Sequence, residues 1–284
     1  MIPQILIVGC GDLGTEIAHQ LQDQGFAPIG LRRTLYALPD FLCLSADVTI
    51  PETLAVIKNL NPNYLIYCVA ASIQTDENYR QHYVEGLRNV LSALAHASHL
   101  KHVFFVSSTR MYGQDGDALL DEETIPRDYD YGGKRLLEAE GLLAHAKKVW
   151  TYSVLRLTGI YGPGRTRMLD LAANPFRWPD NNSWTNRIHR DDAAAFIVHL
   201  IQLHAKAMHI APLYIVTDSK PVLQFEVLQW LAAKMGLAEV KNTPRVFGGK
   251  RMSNQRLLST GFRLKYPDYQ SGYLSMLNTI ERPQ

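Results

Sequence analysis

The first half of the chain alternates two hydrophobic periods. Residues 5–8 form a short apolar run, and residues 13–24 follow with Leu13, Ile17, Ala18 and Leu21 on one helical face. Gly25 supplies a helix stop. Residues 26–31 read as a second strand and 42–44 as a short third. Residues 65–70 and 103–107 are continuous apolar runs, the pattern of strands covered on both faces. Between them residues 77–97 predict a long helix that buries Tyr83, Leu87, Val90, Leu91 and Leu94, and residues 153–157 predict a sixth strand. Strands alternating with helices predict an α/β fold with a doubly wound parallel sheet.

The second half is less regular. Residues 163–186 carry Gly, Pro, Asn and Arg, together with Trp178 and Trp184, and show little periodicity. Residues 191–203 predict a helix, 213–217 a strand, and 225–235 a helix closed by Gly236. No Ser- or Gly-rich linker separates the halves, and there is no repeat or low-complexity tract. The expected organisation is a sheet domain over residues 1–160, with 188–217 returning to it. A small lobe from 161–187 and 218–284 is interleaved with that domain.

Gly9-Cys10-Gly11-Asp12-Leu13-Gly14 is a G-x-G-x-x-G between a predicted strand and a predicted helix. That setting reads as the phosphate-binding turn of a Rossmann dinucleotide fold. Gly9 makes the tight turn, Gly11 admits a pyrophosphate to the backbone, and Gly14 lets helix pack on strand. Asp12 and Leu13 then open a helix whose free N–H groups face the phosphates. The bland reading is a plain strand-to-helix turn. The second strand ends at Arg32-Arg33 and carries no acid; the next is Asp40. A carboxylate would repel a 2′-phosphate, whereas a guanidinium can grip it, so NADP(H) is expected over NAD(H). Solvated surface arginines are the alternative.

Composition narrows the partners. Apolar residues make up 46% and charged residues 20%, ordinary for a globular protein, and a net charge of +2 argues against nucleic acid. Apolar stretches such as residues 65–71 fall far short of the roughly 20 residues that span a bilayer. The start of the chain lacks a basic n-region, so no signal peptide is expected. Cys10, Cys43 and Cys68 are odd in number and form no C-x-x-C, so a cytoplasmic setting is expected. His96, His99 and His102 have no further ligands at metal spacing, and no metal site is expected. Cys10 reads as a small filler and His189 as a structural histidine. A small-molecule substrate is the expected partner, with a homodimer left open.

Beyond the glycine turn the chain resembles the extended short-chain dehydrogenase/reductases, or NAD-dependent epimerase/dehydratases. Ala46-Asp47-Val48 is similar to the family's adenine-contacting segment, and Cys68-Val69-Ala70-Ala71 to the strand end beneath ribose and nicotinamide. Ser107-Ser108-Thr109-Arg110-Met111-Tyr112-Gly113 resembles SS-x-x-VYG. The run from Leu155-Arg156 to Tyr161-Gly162-Pro163-Gly164-Arg165 resembles LR-x-x-x-YGPGR, and Ile188-His189-Arg190-Asp191-Asp192 resembles VHVDD. Tyr214-Ile215-Val216 and the segment from Arg256-Leu257 to Gly261-Phe262 match later motifs of the family. The resemblance implies a nucleotide-sugar-like or other hydroxyl or keto substrate. It also implies cofactor contacts at Gly9, Gly11, Asp12, Leu13, Gly14, Arg32, Arg33, Asp47, Val48, Val69, Ala70, Ala71 and Lys134. Arg165, Arg167, Arg177 and Arg187, with Trp178 and Trp184, would hold diphosphate and stack a base. A surface loop is the alternative reading of that segment.

One departure concerns the proton. The family's reaction uses a Tyr four residues before a Lys on one helix, with a Ser from the preceding strand. Ser108 matches the Ser and Lys134 the Lys, but the residue four before Lys134 is Asp130. Tyr131, or Tyr129, substitutes if the helix starts late, at Gly132. Asp130 as proton carrier is a second reading. The third is a non-catalytic NAD(P)-binding regulator or redox sensor. Tyr83 is the other departure, standing where the family often has Asn.

Overall fold

Burial of four of the five residues of the first strand, β1 (Gln4–Val8), explains its continuous apolar run, because both of its faces are covered. The computed structural model describes residues 2–35, 40–127, 129–146, 150–237 and 243–280. After β1 come α1 (Asp12–Asp23), β2 (Ala27–Arg32), β3 (Cys43–Ser45) and β4 (Tyr64–Tyr67). Then follow α2 (Asp76–Tyr79), α3 (Gly86–Ala93), β5 (His102–Ser108), β6 (Leu119–Leu120), α4 (Tyr131–Ala144) and β7 (Thr151–Leu157). The remainder is β8 (Gly159–Tyr161), α5 (Arg167–Ala172), β9 (Asn182–Thr185), β10 (Arg187–His189), α6 (Arg190–Ala205), β11 (Leu213–Val216), β12 (Val222–Leu223), α7 (Gln224–Lys234), β13 (Val246–Gly249), β14 (Arg251–Met252), α8 (Gln255–Ser259) and α9 (Tyr269–Ile280).

Seven parallel strands form one sheet in the order β11-β7-β5-β4-β1-β2-β3. Chain order reverses between β1 and β4, so this is a doubly wound sheet with its crevice at the carboxyl ends of those two strands. The ends meet closely. Cys68 Sγ donates to the Gly9 carbonyl at 3.1 Å, and a Cβ on Gly9 would stand 2.6 Å from the amide nitrogen of Val69.

The long helix expected over 77–97 is divided. Between α2 and α3, Arg80–Glu85 winds as a π-helix, and α3 stops at Ala93. The buried Tyr67 hydroxyl donates to the His82 carbonyl inside the widened turn. A side chain that takes a helix carbonyl in this way opens the ladder and gives the bulge a cause.

The chain folds into two units. The first comprises Met1–Gly113, Pro126–Arg156 and Ala194–Tyr214; the second comprises Gln114–Ile125, Leu157–Ala193 and Ile215–Gln284. Interleaving was expected, but residues 114–125 belong with the second unit, where β6 pairs with β14. Hydrophobic period cannot announce a two-residue strand. Residues 238–242 and 281–284 of the expected small lobe lie outside the described residues.

In the first unit, α4, β5 and β7 are joined by a buried polar network. Arg156 donates to both carboxylate oxygens of Glu140, at 3.1 and 2.6 Å, and to the Tyr112 hydroxyl at 2.5 Å. Ser107 donates to Glu140 at 2.7 Å. In the second unit, Tyr161, Leu169, Val227, Leu231, Tyr269 and Tyr273 share a core. The segment 163–186, expected to be irregular, supplies α5 and β9 to this unit.

Candidate active site

The glycine turn is built as a cradle. Gly9 has φ +88°, and no side chain fits against Cys68 and Val69 beside it. Gly14 likewise abuts the Gly9 carbonyl, at 2.8 Å from its would-be Cβ, whereas a Cβ on Gly11 would meet nothing within 4 Å. Gly11 is the N-cap of α1 and has no side chain with which to cap it. A twelve-residue helix, with Asp12 and Leu13 at its start, thus begins at a bare glycine with open space where a side chain would stand. These features fit a dinucleotide pyrophosphate.

The expected adenosine segment is held from behind. Asp47 accepts the backbone N–H and the hydroxyl of Thr49, at 2.8 and 2.7 Å, and Asn89 donates to the Val48 carbonyl at 2.9 Å. The two hydrogen bonds from Thr49 and the charge of Arg33 outweigh partial burial and hold the Asp47 carboxyl below its usual range. Arg32 ends β2, and the exposed Arg33 follows it. Cys10 is buried behind the turn; burial pushes its thiol up to about 11, which suits a filler and not a nucleophile. Val69, Ala70 and Ala71 leave the end of β4.

The helix that carries the candidate residues Tyr131 and Lys134 starts one residue earlier than expected. Tyr131 is the first residue of α4, and Asp130 is its N-cap, accepting the Gly133 N–H at 2.9 Å. Asp130 is also gripped by Arg110, through Nε at 3.1 and 3.0 Å and Nη2 at 2.6 Å. The guanidinium holds the Asp130 carboxyl below the usual carboxylate range, so a proton is hard to keep there. The cap and ion pair account for Asp130 without a catalytic role.

Arg110 is the residue that motif matching missed. Its guanidinium lies 5.1 Å from the Tyr131 ring centre and 4.8 Å from that of Tyr79, and it hydrogen-bonds the Tyr131 side chain. It also donates to the Tyr79 hydroxyl at 2.5 Å and to Gln74 at 2.6 Å. Ser108 ends β5, and its hydroxyl accepts the Arg110 N–H at 3.2 Å. Gly132 makes this possible, because a Cβ there would stand 2.6 Å from Arg110 Nε. Lys134 is exposed on the first turn of α4. Counting forward from Tyr131, the residue four along is Arg135, which forks onto Asp76 at 2.7 and 2.8 Å. Tyr83 is partly buried against the Tyr79 ring, at 5.2 Å, and burial raises its hydroxyl to about 12.

The second unit carries a cavity of about 1070 Å³, lined by Arg165, Arg167, Arg177 and Arg187 among others. Trp184 lines a different cavity, of about 440 Å³, with Asp117 and Gly248. There its indole donates to Asp117 at 2.6 Å, and Arg251 lies 4.9 Å above its ring. Trp178 packs edge-on to Phe225. His189 is buried between Tyr266 and Tyr161, and burial lowers it to about 4.

Known proteins resemble the whole chain. A model of the NAD dependent epimerase/dehydratase family matches residues 5–211. Protein YeeZ of Escherichia coli (strain K12) is 28% identical, over 93% of this chain and 97% of its own. A solved structure from Methylobacillus flagellatus, provisionally assigned as an NAD-dependent epimerase/dehydratase, is 51% identical with a TM-score of 0.91, covering 99% of this chain and 100% of that one. The UDP-glucose 4-epimerase of Thermus thermophilus, solved with NAD, shares the fold at 17% identity, with a TM-score of 0.78 over 99% of this chain and 100% of that one.

Proposed function

Since this chain belongs to the NAD dependent epimerase/dehydratase family, we propose that it acts on a hydroxyl- or keto-bearing carbon of a nucleotide-sugar-like substrate. The observation that carries this reading is the cradle at the sheet reversal, where Gly9 and Gly14 admit no side chain and Gly11 leaves open space at the N-cap of α1. The nicotinamide group supplies a hydride acceptor or donor when bound. The chain's own residues do the rest. The turn and the start of α1 hold pyrophosphate, and Asp47 and Val48 border the adenine. Arg32 and Arg33 grip a 2′-phosphate, which makes NADP(H) the preferred form.

Val69, Ala70 and Ala71 border the ribose and nicotinamide, with Lys134 as a further cofactor contact. Tyr131 holds or releases the proton at its phenolic oxygen. Arg110 hydrogen-bonds the Tyr131 side chain and so helps to position its phenol. Ser108 steadies the substrate oxygen. Arg165, Arg167 and Arg177 line a cavity suited to a diphosphate, a subsite that UDP-glucose 4-epimerases of the same fold make reasonable. A cytoplasmic setting, supported by three free thiols, and a homodimer complete the proposal.

The test is conversion. The purified protein with NAD or NADP is incubated with a panel of nucleoside-diphosphate sugars, and sugar protons are followed by NMR. Epimer, dehydrated product or reduced cofactor from one member supports the reading. Bound cofactor with no conversion across the panel overturns it.

A further inference from the structure

Two thiols meet behind the glycine turn. Gly30 of β2 pairs with Cys43 of β3, and Cys10 is the second residue of the turn. A Cβ on Gly30 would stand 2.9 Å from the Cys10 sulfur and 3.0 Å from the Cys43 sulfur. Both sulfurs therefore lean into the notch left by one missing side chain, and the Cys10 thiol donates to the Cys43 sulfur. Both are free thiols; Cys10 is buried and Cys43 half-buried, so a small solute reaches Cys43 first. Cys68 is engaged elsewhere, donating to the Gly9 carbonyl.

Each thiol sits on a segment assigned to the cofactor. The N–H groups of Gly9 and Cys10 both donate to the Leu31 carbonyl, at 2.9 and 3.0 Å, which hangs the turn on β2. Cys43 belongs to β3, a three-residue strand at the edge of the sheet. Two residues on, Ser45 pairs with Arg32, and its hydroxyl donates to the Arg33 carbonyl at 2.9 Å. A disulfide bond of about 2 Å is shorter than the thiol–thiol contact it would replace. Closing it draws the turn toward β3, or draws β3, with Arg32 and Arg33, toward the turn.

We propose that Cys10 and Cys43 form a reversible disulfide under peroxide, and that this bond weakens NAD(P) binding at the turn. The inference rests on the reading of the turn as the cofactor's cradle. The Cys43 sulfur attacks one oxygen of hydrogen peroxide; the O–O bond breaks, leaving a sulfenic acid on Cys43 and releasing water. The Cys10 sulfur then attacks the sulfenyl sulfur; the S–O bond breaks, and the hydroxyl leaves with the Cys10 proton as a second water. The two thiols are oxidised by two electrons, and one peroxide is reduced to two waters. Burial raises both thiols against the pull of the Arg32 guanidinium, so the first step is slow. The second needs no activated thiol, because contact gives Cys10 a high effective concentration at Cys43.

The full chain is treated with hydrogen peroxide, the excess is removed with catalase, and remaining thiols are alkylated in denaturant before peptide mass mapping. A peptide linking Cys10 to Cys43 is expected, with Cys68 alkylated. NAD and NADP titrations of the oxidised protein should show affinity lowered at least about tenfold. Dithiothreitol should restore it, which separates the disulfide from methionine sulfoxide, a product that enzymes reverse. Coupling is reciprocal, so saturating NAD should shift the equilibrium with dithiothreitol toward the thiols by the same factor. Cys43→Ser should bind NAD as the reduced wild type does and keep that affinity through peroxide. A Cys10–Cys68 link, no link at all, or a peroxide loss that survives in Cys43→Ser overturns the proposal. A Cys10–Cys43 link that leaves NAD(P) affinity unchanged sinks this inference alone. Reduced protein that binds neither NAD nor NADP overturns the cradle reading and this inference with it.

Discussion

At the scale of single residues, Gly11 is the position of the turn at which a substitution tests the cofactor apart from the fold. A branched side chain there enters the space that a pyrophosphate would use, without clashing with the protein itself. Gly11→Val is therefore expected to weaken NAD(P) by at least about tenfold, roughly 1.4 kcal/mol, with thermal stability little changed. Equilibrium titration decides, and unchanged affinity would remove the cofactor from this turn. Arg32 and Arg33 carry the second prediction. A charge-assisted contact contributes about 1.5–3 kcal/mol, so NADP(H) should bind about ten- to hundredfold tighter than NAD(H) at low salt. Replacing both arginines by Ser should erase the difference. Tyr131→Phe should lower turnover by about 10²–10⁴-fold, the usual contribution of a positioned acid or base. An active Tyr131→Phe enzyme would shift attention to Tyr129. The glycines were readable in the sequence because their spacing is local. Arg110 was not, since its partners Gln74, Tyr79 and Asp130 lie 36, 31 and 20 positions away in the chain. The helix start at Tyr131 places Arg135 four residues along from it, a spacing that depends on where the helix begins.

At the scale of elements, alternating period predicted the strands and helices of the sheet domain, because burial on both faces leaves a continuous apolar run. It could not predict the π-helical turn, which depends on one hydroxyl arriving from β4. Nor could it predict β6 or β14, which are too short to carry a period. The Arg156–Glu140 pair is where elements depend on one another most. Glu140→Ala leaves a buried guanidinium without its carboxylate and frees the Ser107 hydroxyl. A loss of about 3–5 kcal/mol is expected, read from denaturant unfolding of the first unit's signal. A loss below about 1 kcal/mol would mean that the pair contributes as little as a surface one.

At the scale of the whole molecule, buried ionisable groups set opposite pH trends. Burial lowers His102 to about 3 and His189 to about 4. The unfolded chain takes up these protons below about 6.5 and the folded chain does not, so their stability is present above that pH and drains away on acidification. Asp218 runs the other way. The folded chain keeps its proton up to about 7, whereas the unfolded chain releases it near 3.9, so stability falls as pH rises between those values. Asp218→Asn should therefore raise Tm over wild type at about pH 8 and lose that advantage toward about pH 5. A calorimetric Tm difference that does not change with pH would contradict the assignment.

The interleaving of the two units has a consequence for how the protein is made. The first unit takes its last segment from Ala194–Tyr214, so no prefix of the chain contains either unit whole until that segment has left the ribosome. The strands β1 to β5 must wait, with their apolar faces incompletely covered, for α6 and β11 to be synthesised. A chain cut short before Ala194 would lack one of the three segments of the first unit, and its exposed apolar surface should make it prone to aggregate.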